Sequence, residues 1–248
     1  MSLDVIDLRD FYNRPLGQMA RRILRVKLRA RWGNVRGLRM LGYGFATPYL
    51  GSFREEAERV MAFMPAEQGV VDWPFGEPCC TGLVQEDMWP LPDASVDRIL
   101  LVHAVENAGH AGELLRECWR CLAPGGRLMA VVTNRRAPWS SLETTPFGQG
   151  KPFSRAQLTA LLRETAFTPE GWSEGLMFPP IEAGIVLGSA VALERFGARL
   201  WPVFAGVHMV EASKQVYRPI PARRVKRLSL KGAAIPVGSG VPAPMPPG

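Results

Sequence analysis

A chain of 248 residues, 47% of them hydrophobic and 21% charged, can bury one substantial core, which excludes a disordered or fibrous protein and favours one domain with trimmings over two. Its net charge of +7 is unevenly spread: residues 1–53 hold 10 Lys/Arg against 3 Asp/Glu, residues 54–213 hold 13 against 20, and residues 214–248 hold 7 against none. Asp4, Asp7 and Asp10 break any signal-peptide layout, and the longest apolar stretch, Ile181 to Leu193, contains Glu182 and is too short to span a bilayer, so a cytoplasmic protein without a transmembrane segment is expected.

From the N-terminus, Arg21 to Arg36 (RRILRVKLRARWGNVR) interleaves Ile23, Leu24, Val26, Leu28 and Trp32 with arginines, as an amphipathic helix does. Residues 1–36 are therefore assigned as a basic helical extension. Its apolar side is read as packing on the domain, and contact with nucleic acid, an acidic partner or a membrane surface is the competing reading. Gly37 to Tyr49 (GLRMLGYGFATPY) reads as an apolar strand, a Gly-x-Gly turn and a helix opened by Thr47 or Pro48. Without Cβ atoms, Gly42 and Gly44 let the backbone around Tyr43 pass close to a bound nucleoside, and the helix start offers unpaired N–H groups. The helix is expected to run from Pro48 to Met64 and to be followed by a strand over Gln68 to Asp72.

Asp97 to Val102 (DRILLV) and Arg127 to Val132 (RLMAVV) are nearly continuous apolar runs, the pattern of strands buried on both faces of a parallel sheet. Between them Leu114, Leu115, Cys118, Trp119 and Leu122 fall at helical spacing, and Pro124-Gly125-Gly126 returns the chain to the sheet. Strand, crossover helix and strand make a βαβ unit, and a series of these makes a doubly wound α/β fold. Cys118 and Cys121 lie inside that helix with no second C-x-x-C and no His pair nearby, so they are read as small core residues and no metal is expected. Ser154 is the expected N-cap of a helix within Phe153 to Phe167, and Val207 to Val216 reads as the last strand. Met177 to Trp201 is an apolar, lid-like insertion, and Trp139, Phe147, Phe178 and Trp201 are candidate lining for an acceptor pocket. From residue 219 onward a basic cluster and the Pro/Gly run GSGVPAPMPPG build no packed core, so a disordered tail is expected over 219–248.

The order of these features carries a resemblance. A Leu-Pro-Asp-Ala-Ser-x-Asp loop from Leu91 to Asp97, an apolar strand ending before His103, an amphipathic helix, then Leu122-x-Pro-Gly-Gly and another strand resemble the second half of a class I S-adenosylmethionine-dependent methyltransferase domain of the methyltransferase type 11 kind. The resemblance implies a doubly wound, mostly parallel seven-stranded sheet with helices on both faces, spanning residues 37–218, with S-adenosylmethionine as cofactor. In that family an acid-x-Gly-x-Gly-x-Gly turn surrounds the cofactor. Here the acid falls on Met40 and the third glycine on Ala46, which makes the first glycine motif degenerate. The family's ribose-binding acid at the next strand end corresponds to Asp72. Its adenine-binding acid corresponds to Gln85, with Glu86 and Asp87 beside it to share the role. His103, at the carboxyl end of a strand, is the candidate catalytic base or pocket-lining residue, and Glu106 and Asn107 follow it in an H-x-x-E-N pattern.

The expected activity is methyl transfer from S-adenosylmethionine to an acceptor, a small molecule in the first place, mainly by proximity and alignment. A catalytically inactive adaptor on the same fold is the competing class, motivated by Met40, Ala46 and Gln85. An RNA- or protein-directed methyltransferase using the basic ends is a third reading.

Overall fold

The computed structural model describes residues 3–200 and 204–216. Two helices lead, α1 (Val5–Asn13) and α2 (Pro15–Arg31), followed by β1 (Arg39–Gly44), the short α3 (Thr47–Leu50), β2 (Arg59–Pro65), β3 (Thr81–Val84) and β4 (Val96–Val102). Then come α4 (Ala111–Cys121), β5 (Leu122–Thr133), α5 (Arg155–Glu164), β6 (Phe167–Gly175), α6 (Gly184–Leu200) and β7 (Val207–Lys214). The strands form one sheet in the order β3-β2-β1-β4-β5-β7-β6, parallel throughout except for β7, which runs antiparallel to both its neighbours. This is the doubly wound, seven-stranded sheet that the motif order implies.

The two faces of the sheet follow from the period of two along each strand. Met40, Leu100, Val102, Met129 and Val131 point to one face and pack with α1, α2 and α3. Leu41, Tyr43, Ile99, Leu101, Ala130 and Val132 point to the other and pack with α4 and α5. Cys118 and Cys121 are fully buried in this second layer beside Leu114 and Leu115, and Ser154 caps α5 in a reciprocal box with Gln157.

One departure from the expected elements bears on the site. The helix expected over Pro48–Met64 stops at Leu50, and Val60–Met64 lies instead in β2, paired in register with β1 from Arg39↔Arg59 to Tyr43↔Phe63. Ala, Met and Glu favour a helix locally, but as a strand this segment buries Val60, Ala62 and Met64 on one face and Phe63 on the other, and tertiary burial prevails. The strand expected over Gln68–Asp72 is consequently a loop.

The N-terminal extension packs its apolar side on the domain, as read from its sequence. Leu8, Phe11, Leu24 and Leu28 are buried in the first core layer, so α1 and α2 share the core of the sheet. Asp4 caps α1 by accepting from the Ile6 amide at 2.7 Å, and Pro15 opens α2 at a position where a missing N–H costs nothing. The tail expected over 219–248 lies outside the described residues. Among the described residues, no helix is long and apolar enough to cross a membrane.

Candidate functional site

Strand order reverses between β1 and β4, the switch point at which open α/β sheets bind ligands at the carboxyl ends of their strands. A cleft of about 340 Å³ lies there. Tyr43 enters it from β1, Glu67 and Gln68 from the turn after β2, Gln85 and Glu86 from the end of β3, and His103, Ala104 and Asn107 from the end of β4. Leu3 closes one side, because the Val5 amide donates to the Gln68 carbonyl at 2.9 Å and pins the start of α1 against the β2 turn.

Gly42 and Gly44 shape this cleft without lining it. A Cβ on Gly42 would lie 2.6 Å from both Ala46 Cβ and Leu50 Cδ1, so the glycine lets α3 press on β1. Gly44 has φ +80°, and a Cβ there would collide with the Val102 carbonyl oxygen. The Phe45 amide donates to that same oxygen at 2.8 Å, locking the β1 and β4 ends together and leaving Tyr43 at the cleft wall. Tyr43 stacks on Trp89 with ring centroids 5.0 Å apart. Burial pushes its phenol well above the usual range, so it stays protonated, and its hydroxyl makes no hydrogen bond.

His103 is buried and holds φ +51°, a left-handed conformation that a non-glycine residue adopts at a cost. Its Nε2 lies 2.8 Å from the Tyr12 hydroxyl, which lies 2.9 Å from the Tyr49 hydroxyl, so three buried rings share one hydrogen-bonded chain. Its Nδ1 faces Glu106 Oε1 at 3.8 Å, beyond hydrogen-bonding distance, and has no partner. Burial depresses the imidazole to about 3 and raises the Glu106 carboxyl to about 7. At neutral pH His103 is therefore uncharged and a poor proton acceptor.

The residues expected from the sequence separate here. Tyr43, Gln85, Glu86 and His103 meet in the cleft. The Glu86 carboxylate is already engaged, accepting from the Gly109 and His110 amides at 2.9 and 2.8 Å ahead of α4. Asp87 is exposed and outside the cleft lining. Asp72 is exposed in the loop between β2 and β3. The acid that stands at the β2 end is Glu67, because β2 ends at Pro65. Met40, where the family has an acid, is buried in the apolar layer under α1 and α3, surroundings with no partner for a carboxylate.

Glu67, Gln68 and Tyr12 were not anticipated. The apolar run Val60–Met64 ending in Pro65 is the signal that would have located the first two. Tyr12 has no local signal, since it reaches His103 from 91 positions away. Trp139, Phe147 and Phe178 are almost wholly buried and pack edge to face at 5.3 and 5.4 Å, with Trp139 Nε1 donating to the Phe178 carbonyl at 2.7 Å, and so form part of the core. Trp201 lies outside the described residues. The lid-like insertion folds as α6 and packs on α2.

Comparison with known proteins is consistent with this geometry. Residues 42–130 match the family model for a methyltransferase domain. An 83-residue segment is 34% identical to a protein of Mycolicibacterium smegmatis named "Probable S-adenosylmethionine-dependent methyltransferase", covering 33% of this chain and 32% of that relative, so the match spans about a third of each. A crystal structure of an S-adenosylmethionine-dependent methyltransferase from Mesorhizobium loti superposes with a TM-score of 0.54 at 17% identity, over 76% of this chain and 96% of that one. One from Archaeoglobus fulgidus gives 0.54 at 15% identity, over 78% and 94%. The [4+2]-cyclase SpnF gives 0.53 at 19% identity, over 81% and 83%. At these identities the structural likeness concerns the fold, which here hosts more than one chemistry.

Proposed function

With a methyltransferase domain of the S-adenosylmethionine-dependent class at residues 42–130, we propose that the cleft beside His103 binds S-adenosylmethionine and that the protein transfers its methyl group to a small acceptor. One observation carries this reading: Tyr43, Gln68 and His103 line the cleft, and each keeps a buried polar atom with no protein partner, the Tyr43 hydroxyl, Gln68 Nε2 and His103 Nδ1. Buried polar groups without partners are costly unless a ligand or water satisfies them. The chemistry of the donors suits a nucleoside. Glu67 supplies a carboxylate for vicinal ribose hydroxyls, Gln85 a carboxamide for the adenine edge, and Tyr43 an aromatic wall. The cofactor supplies a methyl group on a sulfonium, and the work left to the chain is alignment and exclusion of water.

In this reading Glu67 takes the role first expected of Asp72, Glu86 holds the start of α4, and His103 positions groups in the cleft without accepting a proton. Calorimetric titration of the folded protein with S-adenosylmethionine and with its demethylated product tests the proposal; absence of heat with both would overturn it. A second reading, binding without methyl transfer, draws on Met40, which replaces the family's acid with an apolar side chain. Turnover of a methyl-labelled cofactor against a panel of small acceptors separates the two, since any methylated product removes the second.

A further inference from the structure

We propose that the face built by α2 and α6 docks on an anionic lipid bilayer. The arginines of α2 divide into two groups. Arg29 and Arg31 are paired with Glu56 and Glu211 at 2.7 and 2.9 Å, and neighbouring Lys27 with Glu194 at 3.1 Å, all charges the fold itself consumes. Arg21, Arg22 and Arg25 are exposed on one side of the helix and make no ion pair among the described residues. They line a groove of about 420 Å³ together with Gln18 and Leu187 of α6, and no acid borders it.

A second groove of about 410 Å³ continues along the same helices, bordered by Arg22, Val26, Val191 and Arg195. Its one acid, Glu194, is neutralised by Lys27 and accepts from the Met177 amide at 2.7 Å. Two aliphatic side chains stand out of this groove: Val26 is 64% exposed and Val191 41%. Scattered exposed apolar residues are ordinary, but two that border one groove between adjoining helices, set among unpaired guanidiniums, make a patch of defined chemistry.

That chemistry matches the interface of a bilayer. Guanidiniums bind lipid phosphates bidentately, while Val, Leu and Ile enter the boundary between headgroups and acyl chains. A nucleic acid would satisfy the arginines and leave the aliphatic residues in water, since its unpaired bases stack on aromatic rings and this face presents none among the residues that line its grooves.

Co-sedimentation of the full chain with vesicles of phosphatidylcholine alone, and of phosphatidylcholine mixed with phosphatidylglycerol, at low and high salt, tests the proposal without any variant. Binding to the mixed vesicles that weakens with salt is expected; equal binding to both kinds, or none to either, overturns it. The triple substitution Arg21→Ser, Arg22→Ser, Arg25→Ser should weaken partitioning by at least about tenfold, given the attraction each basic residue contributes near an anionic surface. A second variant, Val26→Ser, Val191→Ser, should also weaken it, while binding of single-stranded RNA is unchanged by both. Undiminished vesicle binding by the arginine variant would transfer the effect to the basic residues beyond Lys214 and overturn the assignment to this face. RNA binding lost in the arginine variant and kept in the aliphatic one, with no vesicle binding, would make the face a nucleic-acid surface instead.

Discussion

The two sides of His103 treat buried polar atoms in opposite ways. On the cleft side, Tyr43, Gln68 and His103 Nδ1 are left without protein partners around about 340 Å³ of open space. On the other side, Tyr12 and Tyr49 satisfy one another and His103 Nε2, while Phe45 stacks on Tyr12 at 5.6 Å and Phe147 lies 4.7 Å from the imidazole, leaving no space. The contrast is what the proposed cofactor site rests on, since the unpaired atoms border open space on one side and the paired ones border packed rings on the other. The wall between them is the neutral pair His103 and Glu106.

That pair gives the largest expected effect. Glu106 titrates near 7 in the fold against an ordinary 4.5, so the folded state holds its proton more tightly and stability falls as pH rises from about 4.5 towards 7. His103 titrates near 3 against an ordinary 6.5, so stability is full above that value and falls as pH drops towards 3. Between about 4.5 and 6.5 the two slopes oppose and offset. Glu106→Gln should leave stability rising with pH across this window and His103→Gln should leave it falling, each by an amount on the order of 3 kcal/mol at most. Denaturant unfolding measured across the pH range checks this, and identical profiles for parent and variants would remove the neutral pair from the account.

Next in size is Gly44→Val, which combines a left-handed backbone with a collision against the Val102 carbonyl and should cost about 3 kcal/mol. Gly37→Ala, at φ +72° with nothing within 4 Å of the added carbon, should cost only about 1 kcal/mol. Thermal unfolding of both separates the demand for φ from the demand for space. Glu67→Ala should weaken S-adenosylmethionine binding by about tenfold or more, as loss of a charged hydrogen-bonding group does, while Asp72→Ala leaves the affinity unchanged. Calorimetry giving the reverse order would restore Asp72 to the site. The smallest effect is that of Tyr12→Phe, which strips one hydroxyl from the closed side and should lower stability by about 1 to 2 kcal/mol with cofactor affinity preserved.

The half of the domain from Gln85 to Asn134 was legible because its strands are buried on both faces and its helix on one, so period and turn chemistry agree at each step. The half from Gly37 to Asp72 was misread at β2, where a segment read as helix is a strand, and the acid that follows its end in the cleft is Glu67. The glycines were recognised correctly as special positions, yet what they accommodate is α3 and the β4 end.

The amino-acid sequence alone determined the place of His103 at a strand end and the burial of Cys118 and Cys121, since each follows from local periodicity, while the seven-stranded sheet was legible through the resemblance its motif order carries. Tertiary structure alone decided whether Val60–Met64 became helix or strand, which acid reached the cleft, and that Tyr12 met His103. Those outcomes depend on pairing with β1 and on packing between residues far apart in the chain, where burial outweighs the small local preferences of the backbone.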